Sequence, residues 1–143
     1  MMKVLLSSDH DGFNLKNKVK DFLIKSHYEV EDISPVAFSD FIDATLAITD
    51  KLLSAPDAFG IIFDRTGAGS YITACKVKGI IACECSDERS AFMTRQHNNA
   101  RMITIGSDIV GPGLAQNIAK EFLESHYDGG RHQIRVDMLN RMA

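Results

Sequence analysis

The sequence lacks both a concentration of charge of one sign and a long apolar run. Its formal net charge is −3 over 143 residues, and its lysines and arginines are scattered along the chain. Nucleic-acid-binding proteins present a basic stripe, so this composition argues against such a partner and favours a small-molecule ligand. The apolar run within the first ten residues is too short for a signal-peptide core or a membrane span. We therefore expect a cytoplasmic protein without a membrane partner.

Cysteine is also scarce. The chain has Cys75, Cys83 and Cys85, an odd number in a sequence without secretory features, which argues against a disulfide framework. Cys83 and Cys85 would share one face of a strand, but the further ligands of a zinc site are missing. We interpret all three as small buried apolar residues and predict no metal site. Internal repeats and low-complexity segments are absent as well.

Short apolar runs alternate with helical patterns, which is typical of an α/β fold with a parallel sheet. The length suits one domain, residues 1–143, that buries roughly two thirds of its unfolded surface. The predicted strands are Lys3–Ser8, Tyr28–Ile33, Ala58–Phe63, Ile80–Cys85 and Met102–Ile105. Helices are predicted at Phe13–Ser26, Phe41–Leu53, Ser70–Lys76, Ser86 to about Asn99, around Leu114–Leu123, and Arg131–Met142.

A glycine-rich loop follows the third predicted strand. Gly67 and Gly69 allow backbone N–H groups to approach a ligand, and the start of the following helix favours an anion. A dinucleotide fingerprint is disfavoured because Ile72 stands where its third glycine would fall, and a Walker loop is excluded because no Gly-Lys-Ser/Thr follows. The alternative is a tight structural turn. Within the loop, Asp64 is either a base or an ion-pair partner of Arg65.

Polar residues elsewhere add two further candidates. His97 is a possible acid or base because its unperturbed pKa lies near neutrality. The adjacent Asn98 can hydrogen-bond a sugar hydroxyl or an oxyanion. Asp9 and His10 end the first strand, at the edge where open α/β sheets bind ligands.

Arg131 and Arg135 are four residues apart, so on a helix they would share one face and grip a dianionic group together. The alternative is a solvated helix face.

Four segments together resemble the family of ribose-5-phosphate isomerase B and galactose-6-phosphate isomerase, and the match spans nearly the whole chain. They are Ser8–His10, Thr66–Ser70, Arg95–Arg101 and Tyr127–Val136. Three further segments resemble the LacA-type subunits of galactose-6-phosphate isomerase more closely: Ser86–Ser90, His97–Thr104 and Arg135–Asn140.

The resemblance implies a Rossmann-like three-layer sandwich whose C-terminal helix packs on a partner subunit. It also implies a cofactor-free aldose–ketose isomerisation of D-galactose 6-phosphate to D-tagatose 6-phosphate through a cis-enediolate, in lactose and galactose catabolism. In the family, the residue that matches His97 assists ring opening and the one that matches Asn98 contacts the substrate. The residues that match Arg131 and Arg135 hold the phosphate. Asp9, His10, Gly67 and Gly69 are expected to bind substrate.

The chain departs from the family pattern at three positions. Asp64 stands where the family usually carries a cysteine base, Arg65 replaces a glycine, and Phe41 replaces a substrate-contacting tyrosine. Family members build each site across a subunit interface, so we expect a LacB-type partner to supply the cysteine loop. Two alternatives stay open: a self-sufficient ribose-5-phosphate isomerase B homodimer with Asp64 as base, and a non-catalytic phosphosugar-binding subunit.

Overall fold

Five parallel strands form one sheet in the computed structural model, which describes residues 2–143. The strands are β1 (Lys3–Ser8), β2 (Glu29–Asp32), β3 (Ala58–Asp64), β4 (Ala82–Glu84) and β5 (Met102–Gly106). They lie in the order β2-β1-β3-β5-β4, and all the paired strands run parallel. The predicted five-stranded parallel sheet is therefore confirmed.

Helices connect these strands. They are α1 (Phe13–Lys25), α2 (Phe41–Leu53), α3 (Ala68–Cys75), α4 (Glu88–Asn98), α5 (Pro112–Glu124) and α6 (Gln133–Arg141), and a 3-10 turn, Gly130–His132, leads into α6. The Asp40 carboxylate accepts the Asp43 N–H at 2.8 Å, and the Asp87 carboxylate accepts the Ser90 N–H at 2.6 Å. These N-caps define the starts of α2 and α4. No helix within residues 2–143 is long and apolar enough to cross a membrane.

Apolar residues cover both faces of the sheet. In β1, Val4 and Leu6 join a core beneath α1, α4 and α5, whereas Leu5 joins a second core beneath α2 and α3. Alternate residues of a strand point to opposite faces, so a strand buried on both sides reads as a continuous apolar run. The predicted three-layer, Rossmann-like architecture is confirmed.

The C-terminal helix α6 packs little on its own chain. Val136 is the buried residue among those described in α6, while Ile134, Met138 and Leu139 are exposed. A helix gains most of its stability by burying an apolar face, so this face is suited to another surface. Packing of α6 on a partner subunit stays a prediction.

The predicted boundaries hold within one or two residues, and β4 is shorter than predicted at both ends. That strand was predicted at Ile80–Cys85 and pairs only over Ala82–Glu84. The N–H of Ile80 donates to Val77 in a turn at 3.2 Å instead of joining the sheet. Because β4 lies at the sheet edge, one neighbouring strand sets its length.

A buried lysine ties α1 to the end of β2 and the loop beyond it. The fully buried Lys16 Nζ donates to Asp32 Oδ2 at 2.8 Å and to the Ser34 carbonyl at 2.6 Å. Burial lowers the pKa of Lys16, partly offset by Asp32. Burial would raise the pKa of Asp32, but hydrogen bonds from Lys16 and Lys20 outweigh it and lower that pKa. The pair thus stays charged and anchors the loop between β2 and α2.

Lys16→Met should destabilise the fold by about 3 kcal/mol, because it leaves the Asp32 carboxylate partly buried with its more exposed partner Lys20. Urea denaturation would measure this free energy of unfolding. The control is Lys18→Met, at an exposed position on the same helix, which should change it by less than about 0.5 kcal/mol. Equal effects of the two substitutions would contradict the assigned role of Lys16.

Candidate active site

The glycine loop follows β3 directly and enters α3. Gly67 has a φ of 81°, a left-handed conformation that favours glycine. The loop also lies against the end of β5, where a side chain at Gly106 would come within 2.3 Å of the Thr66 carbonyl carbon. Thr104 Oγ1 donates to the Gly67 carbonyl at 2.7 Å. Glycines at both positions therefore let the loop sit tightly on the carboxyl edge of the sheet.

Asp64 points into this loop. Its side chain is buried, and one carboxylate oxygen accepts the Gly67 N–H in a short hydrogen bond. The other oxygen accepts the Ser70 N–H at 3.0 Å and the Ser70 hydroxyl at 2.9 Å. Backbone N–H groups at a helix start favour an anion, and here the chain's own carboxylate supplies it. Asp64 therefore occupies donors that would otherwise face an anionic ligand.

Arg65 turns away from Asp64. Its Nε donates to Asp108 Oδ2 at 2.8 Å, and both side chains are exposed. The hydrogen bond that Arg65 donates to Asp108 raises the pKa of Arg65, which is fully charged in any case. The interpretation of Asp64 and Arg65 as an ion pair is wrong, because consecutive residues at a strand end point to opposite sides.

Asp9 and His10 lie at the same edge, after β1. Asp9 is buried, and its Oδ1 accepts the Gly12 N–H at 2.9 Å. Burial raises the pKa of Asp9, the Gly12 hydrogen bond lowers it, and the negative charge of Asp64 raises it again. His10 is exposed. The strand order places these residues beside β3. From β1 the chain adds β2 on one side and β3 on the other, and open α/β sheets usually bind ligands in the crevice at such a switch point.

Phe41 closes one side of the loop. A side chain at Gly69 would meet the Phe41 ring at 2.7 Å, so the ring lies directly on this glycine. The same two residues line an apolar groove of about 440 Å³ between α2 and α3. Phe41, which lacks the hydroxyl of tyrosine, thus contributes packing at this position.

The end of α4 displays His97 and Asn98 at the opposite edge of the sheet. Arg95 is buried, donates to the Ala100 carbonyl at 2.8 Å and lies 4.6 Å from the centre of the Phe59 ring. Asn99 ends the helix with a φ of 53°. Because Arg95 anchors the inner face of this turn, His97 is left half-buried and Asn98 exposed.

His97 meets the tail of the chain. Its ring stacks on the His132 ring with centroids 4.3 Å apart and planes 14° from parallel. The Asp128 N–H also donates to the Gln96 carbonyl at 3.0 Å. Arg131 lies in the 3-10 turn beside His132, and Arg135 in the first turn of α6, both exposed. The structure thus joins His97 and Asn98 to the arginine segment.

The predicted site residues therefore form two groups. The carboxyl-edge group is Asp9, His10, Gly67 and Gly69; the amino-edge group is His97, Asn98, Arg131 and Arg135. Helix α4 leaves the carboxyl end of β4 and returns to the start of β5, and its 11 residues span about 16 Å. One chain does not bring the two groups together.

The cysteines take no part in either group. Cys75 is exposed, so its predicted burial is wrong; it lies at the end of α3, where the outer helix face is uncovered. Cys83 is half-buried and Cys85 buried. A hydrogen bond from Cys85 lowers the pKa of Cys83 to about 7. Within residues 2–143, no three His, Cys, Asp or Glu side chains are grouped closely enough to hold a metal ion.

The structure is thus a three-layer α/β protein with a parallel sheet. Polar residues of the kind that bind ligands lie at both edges of that sheet, in the carboxyl-edge group and the amino-edge group. The model of the family described as Ribose/Galactose Isomerase matches residues 4–139. The chain therefore belongs to the ribose/galactose isomerase family, and the prediction of an isomerase is confirmed.

Its relatives agree with this assignment. The galactose-6-phosphate isomerase subunit LacA of Enterococcus faecalis is 58% identical over 99% of this chain and 100% of its own length. The ribose-5-phosphate isomerase B structure from Clostridium thermocellum is 38% identical, with a TM-score of 0.92 over 97% of this chain and 95% of its own. A Mycoplasma genitalium ribose-5-phosphate isomerase B with bound ribulose-5-phosphate is 32% identical, with a TM-score of 0.92 over 98% and 95%. The predicted resemblance to LacA-type subunits is confirmed.

Two features of the site escaped sequence reasoning. The contact of His132 with His97 joins residues 35 positions apart. The only signal in the sequence was that His132 follows Arg131, which was itself a predicted site residue. The bonds that Asp64 accepts from Gly67 and Ser70 span three and six residues, and Asp64 precedes Gly67, the N-cap of α3, so no capping pattern in the sequence announced them.

Asp64→Ala should destabilise the chain by about 3 kcal/mol, because it leaves the buried Gly67 and Ser70 N–H groups without an acceptor. Chemical denaturation would measure this. As a control, Asp108→Asn removes an exposed ion pair and should leave the denaturation midpoint unchanged. A tolerated Asp64→Ala would show that the carboxylate does not hold the loop.

Proposed function

We propose that the chain is the LacA-type subunit of a heteromeric aldose–ketose isomerase acting on D-galactose 6-phosphate and D-tagatose 6-phosphate. The separation of the two residue groups to opposite sheet edges carries this proposal. Each group needs a complementary surface, and a second subunit is the simplest source of one. The 58% identical relative named as subunit LacA supports the choice of substrate and of a LacB-type partner.

In this scheme the amino-edge group faces the cysteine loop of the partner. Arg131 and Arg135 hold the sugar phosphate, since guanidinium groups bind phosphate through paired hydrogen bonds. His97 moves the proton from the anomeric hydroxyl to the ring oxygen as the sugar ring opens. Asn98 hydrogen-bonds the open-chain sugar.

The partner then completes the isomerisation. Its cysteine thiolate takes the proton from C2, and the resulting cis-enediolate is stabilised by N–H groups of the partner's loop. The same proton returns to C1 while the hydroxyl proton passes from O2 to O1, so the aldose becomes a ketose without a cofactor. The reaction would serve lactose and galactose catabolism through tagatose 6-phosphate.

The carboxyl-edge group has a different role in this scheme. Asp9, His10, Gly67 and Gly69 face the partner's own histidine and arginines and bind a phosphosugar there. Because Asp64 accepts three hydrogen bonds from the loop, it is poorly placed to take a proton from substrate, and the loop has fewer free donors for an enediolate. Proton transfer is therefore left to the partner's loop.

Reconstitution tests the proposal. The isolated chain should show no turnover of D-galactose 6-phosphate, whereas a mixture with a LacB-type subunit should form D-tagatose 6-phosphate, followed by NMR. Ribose 5-phosphate is the matched second substrate. Full activity of the isolated chain toward either sugar would contradict the divided site and favour a self-sufficient enzyme.

Two substitutions in the active mixture separate the assigned roles. His97→Ala should lower kcat by about 10²–10⁴-fold, the usual contribution of a general acid or base. Asp64→Asn should leave kcat within a few-fold, and His126→Ala, at an exposed histidine, is the matched control. Unchanged turnover in His97→Ala would favour a non-catalytic subunit, while loss of turnover in Asp64→Asn would make Asp64 the base.

A further inference from the structure

The stacked rings of His97 and His132 connect the end of α4 to the C-terminal segment that contains the 3-10 turn and α6. His97 belongs to the helix end that carries Asn98, and His132 belongs to the turn that carries Arg131. The two rings overlap with centroids 4.3 Å apart, and the Asp128–Gln96 hydrogen bond ties the same two segments. Movement of the His132 ring would therefore displace both a ring-opening group and a phosphate-binding group.

We propose that His132 is a positioning residue for His97: the two imidazoles form one stacked unit in which the His132 ring holds the His97 ring at its working angle. The assignment of His97 to ring opening rests on the proposed function. The stacked unit itself rests on the geometry of this chain alone.

A stacked pair of imidazoles carries one proton more readily than two, because two positive rings at this distance repel each other. Burial lowers the pKa of His132, and positive charge on His97, Arg131 and Arg135 lowers it further, while Asp128 raises it. When one ring of the pair is protonated, the neutral face of the other ring lies against a cation, which is itself an attractive arrangement.

The tail stabilises this geometry. The Tyr127 hydroxyl donates to Gln133 Oε1 at 2.8 Å, and Gln133 Nε2 donates to Asp137 Oδ1 at 2.7 Å. These bonds bracket the 3-10 turn and connect it to α6. The ring of His132 is therefore held from its own side and is suited to orient His97.

Imidazole titration by NMR tests the stacked unit on the isolated full-length chain, whatever the chain catalyses. His97→Asn should raise the titration midpoint of His132, because a neighbouring positive charge that lowers its pKa is removed. His126→Asn is the control and should leave that midpoint unchanged. A His132 midpoint that does not respond to His97→Asn would overturn the proposal.

Kinetics of the reconstituted mixture test the positioning role. His132→Ala should lower kcat by about tenfold or more with KM nearly unchanged, because a misplaced reacting group slows the chemical step. His132→Phe, which keeps a flat ring, should recover most of kcat. A rise in KM alone would make His132 a phosphate ligand instead, and equal losses in the Phe and Ala variants would also overturn the role. If the unsubstituted mixture is inactive, the proposed function fails while the NMR titration still decides the stacked unit.

Discussion

The direction of the strands is the constraint on which the rest of the structure depends. All five strands run parallel, so each connecting helix must return the chain to the amino edge before the next strand begins. Residues at strand ends and residues at helix ends are thereby held about a helix length apart. In this chain the constraint holds the two groups of polar residues at opposite edges of the sheet.

In the glycine loop, a side chain of the chain itself fills a backbone arrangement that is suited to an anion. The backbone of the loop is arranged to receive an anion, with Gly67 in a left-handed conformation and N–H groups directed inward. Asp64 supplies a covalently attached anion to two of those N–H groups. An internal carboxylate is present at full occupancy and pays no binding entropy, so it competes strongly with a diffusible ligand. The loop keeps its architectural role while its donors are engaged.

Prediction from sequence worked best where periodicity and caps act locally. The bounds of β1 and α2 agree with the structure at every residue, because an apolar run and an Asp40 cap mark them. Prediction failed where contacts with distant parts of the chain decide the length of an element or the exposure and pairing of a side chain. The length of β4 depends on its single paired strand, Cys75 is exposed because α3 has an uncovered face, and Arg65 pairs with Asp108, which lies 43 residues away. None of these follows from nearest neighbours in the chain.

The sequence by itself determined the fold class, the element order and the residue types of the candidate site, because apolar periodicity and strand-end glycines are local properties. It also carried the family resemblance, through segments such as Thr66–Ser70 and Tyr127–Val136. Only the tertiary structure decided how those residues are grouped. Packing of α4 across the sheet separated His97 from Gly67, and folding of the tail onto α4 joined His97 to His132. The reason is physical: the direction of each crossing and the stacking of distant rings depend on which surfaces the whole chain buries together.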